Sequence, residues 1–275
     1  MTNETVTAQN HKASKHEILI IAVVIAGAFL AILNQTVLAP ALPKLMESFQ
    51  INAGTAQWVT SIYMLVNGIM VPISGYLIDR FPTRKLFFAS MTTFIAGTVL
   101  CAVAPGFEML IVGRILQAAG AGVQLPLVAV VPMLIFPPEK RGTAMGMAGI
   151  VMSVAPAAGP VVAGMIIDAM GWRAMFWSIA PLGLIVLVAS FFLLGNVGEL
   201  KKPKLDILSV LLSTIAFGGM LYGFSSASTL GWTSPIVIIG IVAGVACLVL
   251  FVKRQRNLDE PLLQINALKS RDFAC

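Results

Sequence analysis

The sequence predicts an all-α integral membrane protein that crosses the bilayer eight times. Hydrophobic residues make up 58% of its 275 positions, whereas charged residues make up only 11%. The apolar residues are grouped into eight separate runs, each of about 20 residues, which is the length at which a helix spans a hydrocarbon core of about 30 Å. Because lipid offers no hydrogen bonds to the backbone, each run is expected to be a helix.

Turn residues and charged segments separate the eight runs. Pro137 and Pro138 end the fourth run, and Gly195 and Gly198 precede the basic segment after the sixth. The first run follows a weakly basic leader, but the many runs after it favour a retained first span over a signal peptide. The predicted spans are residues 18–39, 57–78, 86–104, 109–134, 142–167, 174–194, 205–227 and 233–252.

The distribution of basic residues predicts the orientation of the chain. Fifteen of the 18 Lys and Arg residues fall on one side of the predicted membrane, Lys44 and Arg173 fall on the other, and Arg114 lies within a span. The positive-inside rule therefore places both termini in the cytoplasm and the chain in the cytoplasmic membrane. The net charge of +6 is then a topology signal, so no nucleic-acid partner is expected. Three tryptophans are expected at the outer interface: Trp58, Trp172 and Trp232.

Side chains that commonly carry catalysis or bind metals are sparse. Cys101, Cys247 and Cys275 are widely spaced, which fits neither a disulfide framework nor a metal site, and they are predicted to be packing residues. Both histidines, His11 and His16, precede the first span. No nucleophile, base and orienting group converge in the sequence, so neither an enzyme nor a metal or cofactor site is expected.

Four charges are crowded into GYLIDRFPTRK, residues 75–85, between the second and third spans. The basic side chains fit topology anchors, but Asp79 at the last turn of a helix faces the negative end of the helix dipole, so a compensating partner is expected. The segment resembles the G-x-L-x-D-R-x-x-x-R-K loop of the major facilitator superfamily, although Phe81-Pro82 departs from its usual small residue. The resemblance implies a cytoplasmic latch between two transporter halves, built from Gly75, Leu77, Asp79, Arg80, Arg84 and Lys85.

An arginine lies inside the fourth span. An intramembrane charge costs several kcal/mol unless it is paired or solvated, so Arg114 is a functional candidate, and the alternative is a side chain that snorkels to the interface. Gln117, Ala118 and Ala121 share its helical stripe, and Gln124 extends it. The stretch RILQAAGAG resembles the R-x-x-Q-G-x-G-A motif of the same superfamily, with Ala118 in place of glycine. The resemblance implies that Arg114 and Gln117 take part in proton coupling.

The fifth span carries APAAGPVVAGMIID, residues 155–168. Proline removes one backbone hydrogen bond and the small residues allow close helix approach, which suits any tightly packed membrane bundle. Gly159, Pro160 and Gly164 also match the G-P-x-x-G-G signature of antiporters in the superfamily, although Ala163 replaces one glycine. The resemblance implies antiport.

The first span contains LNQTVLAPALP, residues 33–43, which resembles the first-helix motif L-D-x-T-V-x-x-x-A-L-P of fourteen-helix drug/proton antiporters. Asn34 stands where that branch commonly has aspartate, and a neutral amide cannot carry a proton. Asn34, Gln35 and Thr36 are expected either to bind substrate or Arg114, or to join helices by hydrogen bonds. The candidate cavity residues are Asn34, Gln35, Asn67 and Gln124.

The resemblance to the fourteen-helix branch also implies a domain organisation. The fold expected is the six-helix N-terminal bundle of the superfamily followed by two extra transmembrane helices, with a C-terminal half absent from the chain. The predicted segments are a tail at 1–17, the six-helix domain at 18–195, a basic loop at 196–204, the inserted helices at 205–252 and a cytoplasmic lead-in at 253–275.

The function that the resemblance implies is proton-coupled efflux of lipophilic or cationic drugs by the N-terminal half of an antiporter. The expected partners are drug-like molecules, protons and membrane lipid, with either self-association or a missing half completing the transporter. The energy source is the proton gradient, without a cofactor. Two alternatives stay open, an exporter of a dedicated metabolite and a truncated membrane remnant that regulates a full-length relative.

Overall fold

The computed structural model describes residues 15–197 and 206–258. This part of the chain is helical, and eight of its helical stretches are long and apolar enough to cross a membrane, which confirms the predicted fold class. Predictions about the N-terminal tail before residue 15, the basic loop at 198–205 and the lead-in after residue 258 lie outside the described residues.

Each predicted span corresponds to one long helix. The eight long helices and one short helix follow in chain order: α1 (Lys15–Thr36), α2 (Leu42–Phe49), α3 (Ala53–Arg80), α4 (Thr83–Ala102), α5 (Phe107–Ile135), α6 (Pro138–Met170), α7 (Trp172–Leu193), α8 (Ile207–Leu230) and α9 (Pro235–Asn257).

Local sequence explains where several helices begin. Asn52 caps α3 because its side-chain oxygen accepts a hydrogen bond from the Thr55 amide at 2.8 Å. Pro138 occupies the first turn of α6, where the missing amide hydrogen costs nothing. This start extends α6 four residues before the predicted boundary at 142. The helix then runs on through Pro156 and Pro160.

The short helix α2 was not predicted from the sequence. A 3₁₀ turn at Ala39–Ala41 leads into it, and Pro40 and Pro43 lie at the starts of these two elements. Trp172 packs against α2, with its Nε1 donating to Ser48 Oγ at 3.1 Å and its ring 5.5 Å from that of Phe49. Trp172 is therefore buried within the bundle, and its position at the outer membrane interface stays a prediction.

Helices α4 and α5 are in backbone contact. A Cβ atom on Gly97 would lie 2.6 Å from the Gln117 nitrogen, and one on Gly113 would lie 2.5 Å from Cys101 Sγ. Gly120 is equally confined, because a Cβ there would collide with the Ser90 carbonyl. Small residues at such crossings let membrane helices approach closely. The α4–α5 pair is thus a rigid wall that holds the polar face of α5.

The two inserted helices pair with each other and dock on α3 through α8. A Cβ on Gly219 would lie 2.8 Å from the Gly240 carbonyl oxygen, so the α8–α9 crossing is also close. On the other side, Ser61 and Ser225 hydroxyls are 3.2 Å apart. The rings of Trp58 and Tyr222 contact each other at 5.6 Å between centroids. Helix α8 therefore packs against the face of α3 that carries Trp58 and Ser61.

An ion pair joins the ends of α8 and α9. Arg254 donates from Nε to Asp206 Oδ2 at 2.7 Å and from Nη2 to Oδ1 at 3.0 Å, and the two side chains are 38% and 15% exposed. These hydrogen bonds, with one from Ser209, lower the pKa of Asp206 to about 2. The lowered pKa means that the carboxylate stabilises the fold above its unfolded pKa of about 3.9 and loses this effect as pH falls towards 2.

Asp206→Asn is expected to lower the melting temperature of the purified chain by about 2–4 °C at pH 7. A partly exposed bidentate ion pair contributes about 1 kcal/mol to the free energy of unfolding. The difference from wild type should narrow between about pH 4 and pH 2, where the wild-type carboxylate itself becomes protonated. Thermal melts at several pH values measure this, with the exposed Asp168→Asn as control. A difference in melting temperature that stays the same at every pH would show that the charge of Asp206 does not stabilise the fold.

Candidate functional site

The candidate site is built around Arg114, which is fully buried on α5. Its Nη1 donates to Asn34 Oδ1 on α1 at 2.7 Å and to Gln117 Oε1 at 2.8 Å. Its Nε donates to the Val59 carbonyl on α3 at 3.2 Å. Three membrane helices therefore meet at one guanidinium, and this geometry differs from that of a side chain snorkelling to the interface.

Gln117 links the arginine to α4. Its side-chain amide donates to Thr98 Oγ1 at 2.9 Å, and that hydroxyl donates to the Phe94 carbonyl at 2.8 Å. The Cys101 thiol lies 3.7 Å from Gln117 Oε1. Both the oxygen and the nitrogen of the Gln117 side-chain amide are therefore hydrogen-bonded. These bonds fix the orientation of the amide, with its oxygen towards Arg114.

Tyr63 covers one face of the guanidinium. The Arg114 Cζ lies 4.1 Å from the Tyr63 ring centroid, well within the range of a cation–π contact, and the Tyr63 hydroxyl donates to the Ala31 carbonyl at 3.1 Å. Both side chains are 1% exposed or less. The ring supplies partial negative charge and helps hold α3 against α1.

The charge on Arg114 is not balanced by a carboxylate among the described residues. Its contacts there are two side-chain amides, one backbone carbonyl and one aromatic ring. Four buried polar atoms in the same part of the chain have no hydrogen-bond partner: Asn34 Nδ2, Arg114 Nη2, Asn67 Oδ1 and Gln124 Oε1. A buried charge held only by neutral groups remains costly, which is typical of functional and not structural arginines in membranes.

A cavity of about 580 Å³ lies between α1, α3 and α6. Its polar lining comes from Gln35, Thr36, Gln57 and Thr60, and Pro156 and Pro160 close it on the α6 side. Gln35 directly follows Asn34, and Thr60 directly follows Val59. The cavity wall thus includes the chain neighbours of two residues of the Arg114 cluster.

A second cavity, of about 430 Å³, opens between the start of α1 and α6. Its lining is almost wholly apolar, with Lys140 and Thr143 as the polar residues. Its shape and chemistry suit an apolar molecule more than a charged one.

The predicted latch residues lie at the junction of α3 and α4. Asp79 is half-buried in the last turn of α3, whereas Arg80, Arg84 and Lys85 are exposed. The Arg84 Nη2 donates to the Phe191 carbonyl on α7 at 2.6 Å, and its Cζ lies 5.0 Å from the Phe191 ring centroid. Arg84 thus ties the α3–α4 junction to the end of α7, and the latch role stays a prediction.

The two glycines of the antiporter motif on α6 lie in different surroundings. Gly159 is buried against α1, and a Cβ there would collide with Thr36 Oγ1. Gly164 faces open space, because a Cβ atom added at this position would meet no neighbouring residue within 4 Å. Gly159 is therefore needed for packing inside this bundle, whereas nothing in the described residues restricts Gly164.

Gly159→Ala is expected to destabilise the chain by about 1–3 kcal/mol, because Thr36 is β-branched and has little freedom to move away. Gly164→Ala is the matched control and should leave the melting temperature within about 1 °C of wild type. Thermal melts of both variants in detergent measure this. Equal destabilisation by the two substitutions would contradict the close α1–α6 contact.

The structure brings together some predicted site residues and separates others. Asn34, Arg114 and Gln117 form one hydrogen-bonded cluster. Asn67 and Gln124 are buried on the same two helices, α3 and α5, but they are not among the hydrogen-bond partners described for Arg114. Gln124 instead donates to Met91 Sδ at 3.3 Å. Gln35 faces the cavity. Pro160 of the antiporter motif lines the same cavity, whereas the latch motif lies at the junction of α3 and α4.

Sequence reasoning missed three contributors: Val59, Tyr63 and Thr98. A signal existed for α3, since positions 59, 63 and 67 repeat at four-residue spacing and carry an aromatic hydroxyl and an amide in an apolar helix. Thr98 offered no comparable signal, because hydroxyls on membrane helices commonly bond to their own backbone.

The fold is that of a multi-pass helical membrane protein with a buried arginine. The sequence model of the Major Facilitator Superfamily matches residues 24–209, so the chain belongs to that superfamily, as the motifs predicted. A crystal structure of the peptide transporter POT is similar in fold, with a TM-score of 0.66 at 17% identity over 87% of this chain and 52% of that one.

Several curated relatives are transporters of the same superfamily. The chain is 49% identical over 246 residues to the uncharacterized MFS-type transporter YcnB of Bacillus subtilis, covering 90% of this chain and 52% of YcnB. It is 42% identical to the lincomycin resistance protein LmrB of the same organism, over 96% and 55% of the two chains. Identity to the multidrug export protein EmrB of Haemophilus influenzae is 30%, over 90% and 49%. The chain spans about half the length of these relatives.

Proposed function

We propose that the chain takes part in proton-driven export of lipophilic or cationic drug-like molecules across the cytoplasmic membrane. The observation that carries this proposal is the fully buried Arg114 cluster, in a bundle that also holds a cavity of about 580 Å³ between α1, α3 and α6. Relatives named for lincomycin resistance and multidrug export support a drug-like substrate class. The chain is proposed to supply one bundle, which moves against a second bundle during transport.

In the proposed mechanism, Arg114 couples proton movement to the conformational equilibrium between inward-facing and outward-facing states. Its hydrogen bonds to Asn34 on α1 and to Val59 on α3 allow a change of charge nearby to shift those two helices together. Asp168 is exposed at the far end of α6, which fits an interfacial role more than that of proton acceptor. With both termini in the cytoplasm, Asp79 and Arg84 bias the cytoplasmic opening.

Export is tested in a pump-deficient bacterium that expresses the full 275-residue chain. The expected result is energised efflux of a fluorescent lipophilic cation and raised resistance to lincomycin, both abolished by a protonophore. Cells with an empty vector are the baseline, and membrane expression is checked by immunoblot. Efflux equal to the baseline from a well-expressed chain would contradict independent export and favour a regulatory role beside a full-length transporter.

A further inference from the structure

Two hydrogen-bond donors in the Arg114 cluster have no partner. Arg114 Nη2 and Asn34 Nδ2 are both buried and unbonded, although their residues are joined by a 2.7 Å hydrogen bond through Nη1 and Oδ1. Both residues are 0% exposed. The unbonded groups are N–H donors only, so the chemistry that satisfies them is an acceptor.

The positive charge of Arg114 indicates that the missing hydrogen-bond acceptor is an anion. Water would satisfy the two donors but would leave a buried guanidinium without a counter-ion, which is the costly part of the arrangement. No carboxylate among the described residues pairs with Arg114. Acidic side chains near a membrane arginine would normally fill this role, but Asn34 places an amide there.

We infer that the Arg114–Asn34 pair is a binding site for a small monovalent anion, either a halide or the carboxylate of a small molecule. The unbonded Arg114 Nη2 and the Asn34 amide N–H₂ can each donate to one oxygen of a carboxylate, and both can also donate to a halide. The 580 Å³ cavity is the proposed source of the anion, because its wall includes Gln35, Thr60 and Met64, the chain neighbours of Asn34, Val59 and Tyr63. This inference goes beyond the proposed export and does not require it.

The test is a thermal-shift titration of the purified 275-residue chain in detergent, with ionic strength held constant by sodium HEPES. Saturating chloride, acetate or benzoate is expected to raise the wild-type melting temperature by about 3 °C or more. A response to chloride identifies an inorganic source, and a response to acetate or benzoate alone identifies a small-molecule carboxylate. No shift with any of the three anions overturns the inference, and this result requires no variant.

Asn34→Asp supplies a fixed carboxylate 2.7 Å from the guanidinium, at the position of Asn34 Oδ1. It is expected to abolish the anion response. Asn257→Asp makes the same amide-to-carboxylate change at an exposed position at the end of α9, and it should keep the response. Asn34→Asp that responds like wild type would also overturn the inference. Because this assay measures binding and not transport, it is independent of whether the chain exports drugs.

Discussion

Gly120→Val is expected to prevent α4 and α5 from packing and to eliminate most of the folded chain. A Cβ at position 120 would collide with the Ser90 carbonyl oxygen and lie 2.8 Å from the Phe94 nitrogen. Both are backbone atoms of α4, so no side-chain rotation relieves the contact and the helices have to separate. Overpacking of this kind costs about 3 kcal/mol or more. The fraction of chain that elutes as a single sharp peak in size-exclusion chromatography measures the effect.

Gly146→Val is the matched control for Gly120→Val. Gly146 is an exposed helical glycine on α6 with no atom within 4 Å of a built Cβ. The same substitution there should leave the elution profile close to that of wild type. A Gly120→Val chain that elutes and melts like the Gly146→Val chain would show that α4 and α5 do not approach as closely as described.

Arg114→Ala is expected to reduce energised efflux at least tenfold, to the level of the empty vector, with a smaller effect on membrane expression. The substitution removes the guanidinium that, within the described residues, joins Asn34, Gln117 and Val59 to one another. It also removes a buried charge whose desolvation cost opposes folding, so the effects on stability partly offset each other. The measurement is initial efflux rate per unit of immunoblotted protein.

Arg256→Ala is the control for Arg114→Ala, because Arg256 is an exposed arginine near the end of α9. It should retain wild-type efflux. Arg114→Lys keeps the charge but loses the planar fork that bonds Asn34 and Gln117 through one nitrogen, and only partial activity is expected. Wild-type efflux from Arg114→Ala would remove Arg114 from the proposed mechanism.

The eight spans were predictable because hydrophobic length alone decides which helices cross a membrane. The same criterion missed α2, which has only eight residues and begins at two closely spaced prolines. The burial of Trp172 was not predicted, for a related reason. An aromatic at a span boundary fits both a lipid interface and a buried contact, and the sequence does not reveal that α2 folds back to cover it.

The candidate site was predicted in part. Arg114 and Gln117 share a helical stripe, and local periodicity is enough to pair them. Asn34 was one of three residues expected to bind Arg114 or substrate, but the contacts with Val59 and Tyr63 depend on how α1, α3 and α5 cross. Such crossings are set by packing over the whole bundle. The proton-coupling, latch and antiporter roles remain predictions that require functional measurements.

Substrate-driven proton movement is the most direct test of the proposed antiport. Inverted membrane vesicles containing the chain are energised by respiration, and the internal acidification is followed with a fluorescent amine. Adding a lipophilic cation should release protons and restore fluorescence with the wild-type chain, but not with Arg114→Ala. Cation uptake into the vesicles without any restored fluorescence would contradict proton coupling, and restored fluorescence of equal size with Arg114→Ala would contradict its assignment to Arg114.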